Sequence, residues 1–213
     1  MNEKEQRIFL FSKTSHPGVN HIPILQIDYF QPSIDFSSYD YIIATSKEIF
    51  TALDKIGDWK NIPVLAISQS TASFAQDIGA NILDISDGYG ENIVELIKEK
   101  YVELKPLYPH AKIVAFDIES SLKKIDVEVD SFIVYETSCS DTDIVELPAN
   151  AICIFTSPSS VKCFEKSYEF LPTYKVVCIG ETTRSALPKD VDSIVSESTS
   201  VQSTIESAKK LIQ

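Results

Sequence analysis

Serine and threonine side chains follow an apolar run of strand length in the C-terminal third of the chain. The run Ile152–Phe155 leads through a threonine into Ser157, a residue type favoured at the N-cap of a helix. Pro158 suits the first helical position, where its missing N–H costs nothing, and Ser159 follows in the first turn. The pattern predicts a β-strand that delivers the chain directly to the start of a helix.

A second junction of the same kind lies further along the chain. The apolar run Val176–Ile179 ends at Gly180, which allows a tight turn. Thr182 or Thr183 can then cap the helix that follows. Both junctions therefore combine a predicted buried strand with hydroxyl groups at a helix N-terminus.

Junctions of this kind suit the binding of an anion. Backbone N–H groups in the first turn of a helix have no partner within it, and the helix dipole adds partial positive charge. A carboxylate or phosphate is therefore a natural ligand at the ends of these strands. The alternative is that both junctions are ordinary capped turns with no ligand, because a fold by itself does not specify a function.

The same pair of motifs occurs earlier in the chain. Tyr41–Ser46 aligns with the motif that ends at Ser157, offset by 111 residues, and Val64–Thr71 aligns with the motif that ends at Thr183, offset by 112 residues. A nearly constant offset over two separate motifs indicates two similar domains of about 100 residues each. The earlier copy adds two candidate anion-binding residues, Ser46 and Thr71.

Composition limits the classes of partner. The chain has 213 residues and a formal charge of −12 at pH 7, which argues against nucleic acid and anionic membranes as partners. No apolar stretch approaches the roughly 20 residues of a membrane span, and the polar N-terminus does not resemble a secretory signal. We therefore expect a cytoplasmic protein, in which local dipoles and individual cations overcome an unfavourable overall field to hold an anion.

The cysteines and histidines do not form a metal-binding pattern. Cys153 and Cys178 lie in predicted strands, Cys163 on a predicted helix and Cys139 in a predicted loop, with no Cys-x-x-Cys pair. We expect no structural zinc, and small apolar packing as the role of at least three cysteines. The histidines fall in predicted loops or connectors, where a solvated or linker role outweighs that of a general base; they are His16, His21 and His110.

The rest of the chain predicts alternating strands and helices. Arg7–Phe11 and Lys112–Asp117 indicate buried strands, whereas Ile22–Phe30 and Val127–Tyr135 are extended and partly polar. A parallel neighbour of the first strand needs a crossover of about a dozen residues, which the intervening turn material does not supply. We therefore expect Ile22–Phe30 to leave the first sheet as a connector.

The predicted fold is α/β, with two flavodoxin-like parallel-sheet domains joined by a two-stranded β-ladder. Residues 1–21 with 139–213 form one discontinuous domain, and residues 34–126 form the other. The linker strands lie in residues 22–33 and 127–138. In this arrangement the first strand joins the C-terminal half, although the sequence does not exclude a contiguous arrangement.

No established catalytic constellation is present. The sequence contains no phosphate-binding glycine loop, no metalloprotease motif and no nucleophile elbow. Tyr135 ends the second connector, so its phenol is expected to face the space between the domains, where it can donate a hydrogen bond or act as a weak general acid. Packing at an edge is the alternative. Hydroxyl-rich helix N-termini from both domains predict a cleft that grips several carboxylates or phosphates rather than one that performs nucleophilic attack.

Together these motifs resemble the uroporphyrinogen-III synthase family. The resemblance rests on Ala44–Ser46 with Ser68–Ala72, on Phe155–Ser159 with Ile179–Thr183, and on Val134–Thr137 between them. It covers essentially the whole chain, and the C-terminal pair is its more specific part. The resemblance implies two α/β domains joined by a two-stranded ladder, with the first strand completing the C-terminal domain.

The resemblance also implies a reaction. The substrate is hydroxymethylbilane, a linear tetrapyrrole octacarboxylate of haem biosynthesis, which is closed to uroporphyrinogen III with inversion of the last pyrrole and loss of water. No cofactor and no metal are implied. Because this substrate loses its hydroxyl unaided and closes spontaneously to the uninverted isomer, the task of the protein is mainly to hold the conformation that leads to a spiro intermediate.

The family motifs assign roles to residues of this sequence. Tyr135 corresponds to the tyrosine that assists departure of the hydroxyl. Substrate binding is assigned to the small residues at the four junctions, namely Ser46, Thr71, Ser157, Ser159, Gly180, Thr182 and Thr183. We further expect a monomer that receives its substrate from the preceding pathway enzyme by transient contact. The alternative is a non-catalytic module that binds an anionic small molecule in the same cleft.

Overall fold

The computed structural model describes residues 7–141 and 143–212. The chain divides into two compact units, one made of the chain up to Ile27 and from Thr137 onward, the other of Asp28–Glu136. Two sheets form the frame of the molecule, and both are built mainly from parallel strands. This confirms the predicted doubly wound α/β class.

The first sheet has the strand order β11-β10-β9-β1-β2, and all its pairs are parallel. Its strands are β1 (Ile8–Ser12), β2 (Asn20–Pro23), β9 (Ile152–Phe155), β10 (Lys175–Cys178) and β11 (Ser193–Val195). In chain order this is the flavodoxin-like arrangement 2-1-3-4-5. Because β1 pairs with β9, the first strand lies in the sheet of the C-terminal half.

Both faces of β1 are buried, which explains its continuous apolar sequence. Phe9 and Phe11 point to a cluster that contains Phe155 and Phe164. The alternate residues of β1 join a second cluster on the other face, with Ile205 of the last helix. The twofold alternation of a strand therefore divides its side chains between two helical layers.

The prediction that residues 22–30 leave the first sheet is wrong only at its start, because Ile22 and Pro23 belong to β2, which pairs with β1. The remainder, Leu25–Tyr29, forms a strand outside the first sheet, as predicted. Phe9 is paired with Asn20 in parallel. The connection turns back through Gly18, whose φ is 84°, and buried Val19. The prediction was wrong because it assumed a helical crossover, whereas a loop suffices for a strand of four residues at the sheet edge.

The second sheet has the order β3-β8-β7-β4-β5-β6. Its strands are β3 (Leu25–Tyr29), β4 (Tyr41–Ala44), β5 (Val64–Ala66), β6 (Ile82–Ile85), β7 (Pro106–Ala111) and β8 (Asp130–Cys139). Strands β4 to β8 are parallel in the order 3-2-1-4-5, the other common doubly wound arrangement. The Ser140 N–H donates to the Ile24 carbonyl at 3.0 Å and the Phe30 N–H donates to the Val134 carbonyl at 2.9 Å, so β3 and β8 form an antiparallel ladder.

Helices follow most of the parallel strands, as the alternating pattern predicts. They are α1 (Glu48–Leu53), α2 (Gln69–Asp77), α3 (Gly90–Lys100), α4 (Ile118–Lys123), α5 (Pro158–Ser167), α6 (Glu181–Arg184) and α7 (Val201–Lys210). In α3, Ile93, Val94 and Ile97 are buried on one face, the spacing that a helix requires. Gly79, with a φ of 88°, ends α2 as its position after the apolar pattern indicates.

The predicted strand at residues 112–117 is wrong. The strand is β7, which ends at Ala111, directly before the predicted range. Ile113 lies in the loop that follows and is 81% exposed. Prolines at 106 and 109 argue against a strand, because proline has no N–H to donate to a neighbouring strand. The pairing of β7 with β4 ends at Leu107, however, and Pro109 is paired only with β8. A strand paired on one side tolerates proline there. Asp117, expected at the end of a strand, is the N-cap of α4 and accepts from the Ser120 N–H at 2.9 Å.

Gly90 is required by the close approach of Phe116 in this loop. A Cβ atom at residue 90 lies 2.5 Å from Phe116 Cδ1 and 2.9 Å from its Cβ and Cγ. Phe116 packs against the core of the second sheet, and a shift of its ring away from residue 90 would disturb that packing. The start of α3 can therefore lie this close to the 112–117 loop only because residue 90 has no side chain.

We expect Gly90→Ala to lower the free energy of unfolding by about 1–3 kcal/mol, because a methyl group overpacks a tight contact. Urea unfolding of the purified variant measures this directly. Gly180→Ala is the matched control, since its Cβ meets Thr199 Cγ2 at an ordinary 3.5 Å. Equal stability of the two variants would contradict the assigned contact.

Candidate active site

A pocket of about 410 Å³ lies at the carboxyl ends of β4, β7 and β8. The strand order reverses between β4 and β7, because the chain runs from β4 to β5 on one side and reaches β7 on the other. Doubly wound sheets bind ligands at this switch point. The lining residues at the strand ends are Thr45, Ser46, Ile67, Tyr108, Ala111 and Tyr135, and the remainder come from residues 88–91, residues 113–116 and Ile118.

Tyr135 contributes its phenol to this pocket. The side chain is 8% exposed, and its hydroxyl lies 2.9 Å from Ser46 Oγ. The prediction that Tyr135 ends a connector was wrong, since it lies within β8 and the strand continues to Cys139. Burial raises the pKa of Tyr135, the Ser46 hydrogen bond lowers it and the charge of Glu48 raises it, with a net upward shift. The phenol is therefore protonated at neutral pH.

Ser46 does not cap a helix, contrary to the sequence-based expectation. The N-cap of α1 is Lys47, which makes no side-chain capping bond. Unlike Ser157, Ser46 is not followed by a proline that starts the helix at the next residue. Its hydroxyl is thereby left to contact Tyr135 rather than the first turn of α1.

Glu48 provides a negative charge close to this phenol. It accepts a hydrogen bond from the Tyr29 hydroxyl, and burial together with that bond raises the pKa of Tyr29 to about 12. The same carboxylate acts through space on Tyr135. A carboxylate beside two phenols disfavours both phenolates, so each remains a hydrogen-bond donor.

A second phenol in the pocket, Tyr108, was missed by the sequence analysis. Tyr108 is 3% exposed and stacks on His110 with ring centroids 4.8 Å apart. Burial raises its pKa to about 12, and a hydrogen bond with Thr45 lowers it. The misplaced strand at 112–117 concealed Tyr108, and it also placed His110 in a loop although it lies in β7. The sequence carries little signal of this strand, because Leu107 and Tyr108 are followed directly by Pro109 and His110.

Thr71 lies at the third position of α2 and is 4% exposed. Ser68 caps this helix, accepting from the Thr71 N–H at 3.4 Å, and the two hydroxyls are 3.2 Å apart. Thr71 is not one of the residues that line the pocket. Its hydroxyl is used within the helix cap.

The first junction of the other unit has the predicted geometry. Ser157 is the N-cap of α5, Pro158 is its first residue, and a reciprocal capping box joins Ser157 with Ser160. The Ser160 N–H donates to Ser157 Oγ at 3.2 Å, and the Ser157 N–H donates to Ser160 Oγ at 3.3 Å. Ser159 is partly exposed in the first turn, outside this box.

The second junction differs from its prediction. Gly180 itself is the N-cap of α6, so neither Thr182 nor Thr183 caps the helix. Gly180 has a φ of −170°, an extended conformation open to any residue, and no left-handed turn occurs there. Thr183 is 3% exposed and Thr182 is exposed. The α5 and α6 junctions follow β9 and β10, which are neighbours in the first sheet.

The expectation that at least three cysteines serve only as small apolar packing is wrong, because one of the buried cysteines, Cys163 on α5, is disulfide-bonded. Cys139 lies at the end of β8 and not in a loop, and it forms a disulfide with Cys163 across a Cα–Cα distance of 5.3 Å. Cys153 and Cys178 are free and buried, as predicted, and burial raises their pKa values to about 12 and about 11. A separation of 24 residues in sequence carried no sign of the pairing.

A second pocket of about 420 Å³ lies beside the end of α4. Its charged lining residues are Glu119, Lys123, Asp126 and Glu128. Three carboxylates with one cation do not suit an anionic ligand, so the pocket at the switch point is the stronger candidate. In the described part of the chain, no helix is long and apolar enough to cross a membrane, and no group of three or more His, Cys, Asp or Glu residues is placed to hold a metal ion.

The fold and the pocket define a doubly wound α/β protein that presents neutral hydroxyl donors at its switch point. The family model for uroporphyrinogen-III synthase HemD matches residues 18–206, and the chain belongs to this family. Its members are lyases that cyclise hydroxymethylbilane in haem biosynthesis. The resemblance inferred from the motifs is thus confirmed, and the non-catalytic binding module is not favoured.

Solved structures agree with the fold. Uroporphyrinogen-III synthetase from Helicobacter pylori 26695 is 24% identical and has a TM-score of 0.82, over 97% of this chain and 99% of that chain. A mutant uroporphyrinogen III synthase from the extremely thermophilic bacterium Thermus thermophilus is 13% identical, with a TM-score of 0.61 over 98% of this chain and 99% of that chain. No curated protein matches the sequence in a direct comparison.

The capping box gives a test of the first junction. We expect Ser157→Ala to lower the free energy of unfolding by about 0.5–2 kcal/mol, because the Ser160 N–H loses its acceptor. Ser159→Ala is the control, since that hydroxyl is not part of the box. Chemical denaturation of both variants measures the difference. A free energy of unfolding that is the same for Ser157→Ala as for the wild-type protein would show that the cap contributes nothing to stability.

Proposed function

We propose that Tyr135 is the acid that assists departure of the hydroxyl group when this protein closes hydroxymethylbilane to uroporphyrinogen III. The observation that supports this role is the Tyr135 hydroxyl, buried at the switch-point pocket and 2.9 Å from Ser46 Oγ. Ser46 fixes the direction of the phenol, while burial and the charge of Glu48 keep it protonated. A neutral, oriented donor is what a departing hydroxyl group needs.

The raised pKa of Tyr135 sets the character of this step. The electron pair of the C–O bond leaves with the oxygen, and the phenol donates its hydrogen to the developing hydroxide. Closing the ring replaces a C–H bond of the last pyrrole by a C–C bond, so one proton is released for each hydroxide that departs, and the sum is water. Because phenolate is disfavoured here, Tyr135 acts mainly by hydrogen bonding and regains any proton that it gives.

The carboxylate arms of the substrate need contacts of a different kind. For these we propose the strand-to-helix junctions, where first-turn N–H groups and short side chains meet solvent. The α5 and α6 junctions support this role because they follow neighbouring strands of one sheet. The assigned residues are Ser46 and Thr71 in the second sheet and Ser157, Ser159, Gly180, Thr182 and Thr183 in the first.

Three finer points belong to the same proposal. The protein acts as a monomer, works in the cytoplasm and takes its substrate from the preceding pathway enzyme by transient contact. Light scattering after size-exclusion chromatography tests the monomer. A hand-over is tested by asking whether added carrier protein or an inert trap for free hydroxymethylbilane changes the yield in a coupled reaction.

The product isomer tests the reaction itself. Hydroxymethylbilane is generated in place, the protein is added, and the oxidised uroporphyrins are resolved by chromatography. We expect isomer III to dominate with the protein and isomer I without it. Isomer I alone from a folded sample would contradict the proposed reaction.

We expect Tyr135→Phe to lower kcat by about 100-fold, at the lower end of the range for a general acid, with a small change in KM. Steady-state rates across a range of hydroxymethylbilane concentrations measure both. Tyr101→Phe is the matched control, because that phenol bonds to Asp84 Oδ2 at 2.9 Å and does not line the pocket.

The pH dependence gives a further check of the Tyr135 assignment. Since its pKa is raised, the phenol is protonated throughout the neutral range, and the rate attributable to it is lost only as pH rises above about 10. Equal kcat values for the wild-type protein and Tyr135→Phe would reject the acid role of Tyr135. They would not contradict the cyclisation reaction itself.

A further inference from the structure

Three tyrosines line the switch-point pocket, and two of them, Tyr108 and Tyr135, are buried. The Tyr135 hydroxyl lies 2.9 Å from Ser46 Oγ, whereas Tyr89 is 68% exposed. Tyr108 lies on β7, next to β8, which carries Tyr135. The pocket thus contains a second buried phenol, which the proposed mechanism does not use.

The ring and the hydroxyl of Tyr108 have different surroundings. The ring stacks on His110 and belongs to the core of the second sheet. The residue nevertheless lines the pocket, and its pKa of about 12 keeps the hydroxyl protonated. A phenylalanine fills the same core position, so the ring alone does not explain a phenol at this place.

A single donor inside the pocket does not set the orientation of the pyrrole that enters it. The proposed junction contacts hold the carboxylate arms, but with Tyr135 as the one donor to this pyrrole, the ring can rotate about that hydrogen bond. A second donor at a fixed separation defines an axis and removes this rotation. Both phenols are carried by neighbouring β-strands of one sheet, which keeps their separation constant.

We propose that Tyr108 is a second substrate-contacting phenol and that it selects which carbon of the last pyrrole forms the new bond. The inference rests on the proposed function, in which Tyr135 meets the departing hydroxyl. Tyr108 contacts the same part of the tetrapyrrole through a neutral hydrogen bond.

The test compares the isomer ratio of Tyr108→Phe with that of the wild-type protein. We expect the ratio of isomer III to isomer I to fall about tenfold, the effect of losing one neutral hydrogen bond in the selecting step. Tyr101→Phe is the control and keeps the wild-type ratio. Thermal unfolding of each variant verifies that the fold is intact.

A slower enzyme also yields more isomer I, because free hydroxymethylbilane closes by itself. The reaction is therefore repeated at increasing protein concentration. Isomer I that persists at saturating protein arises on the protein and supports the inference. Isomer I that disappears, or a ratio equal to that of the wild-type protein, overturns it.

The two possible failures are distinguishable. A wild-type protein that gives no isomer III rejects the proposed function itself. A wild-type protein that gives isomer III, together with an unchanged isomer ratio for Tyr108→Phe, rejects only the role of Tyr108.

Discussion

The parallel pairing of β7 between β4 and β8 is the constraint on which the candidate site depends. Carboxyl ends of parallel strands meet at one edge of a sheet, so residues distant in sequence are brought together there. Ser46 and Tyr135 are 89 positions apart and bond only because β7 holds β8 close to β4. The 112–117 loop follows β7 and closes the pocket, fixed by the contact of Phe116 with Gly90.

The charge distribution of the pocket indicates which part of a tetrapyrrole it suits. Among the described residues that line it, Glu91 is the only one with a formal charge, and the others are apolar or carry hydroxyls. A chain with a net charge of −12 and a carboxylate in the lining does not favour substrate carboxylates inside the pocket. Pyrrole rings and a neutral hydroxymethyl group fit it better, and the carboxylate arms are then left to the strand-to-helix junctions.

Much of the fold was predictable because local rules and tertiary structure agree. Buried strands such as β9 and β4 are continuous apolar runs, and the Ser-Pro start of α5 leaves little freedom in where that helix begins. Failures occurred where tertiary context overrides a local rule. Pro106 and Pro109 oppose a strand in isolation, yet β7 forms because its first residues pair with β4 and its residues from Leu107 onward pair with β8.

The candidate site was less predictable than the fold. Motif similarity identified Ser46 and Tyr135, but their hydrogen bond depends on strand order, which periodicity does not encode. Tyr108 was missed because the strand that carries it was misplaced by several residues. The Cys139–Cys163 disulfide likewise depends on how β8 lies against α5, and spacing in the sequence carries no information on that.

The two copies of the duplicated motif have diverged in a way that bears on substrate contacts. Thr71 and Thr183 occupy the same third position of their helices, and both are nearly buried. Ser68 at the N-cap of α2 engages the Thr71 hydroxyl, whereas Gly180 at the N-cap of α6 has no side chain for an equivalent bond. The glycine therefore leaves room above the first turn and does not compete for the threonine hydroxyl. Of the two aligned threonines, Thr183 is therefore the stronger candidate in the proposed binding of a carboxylate arm.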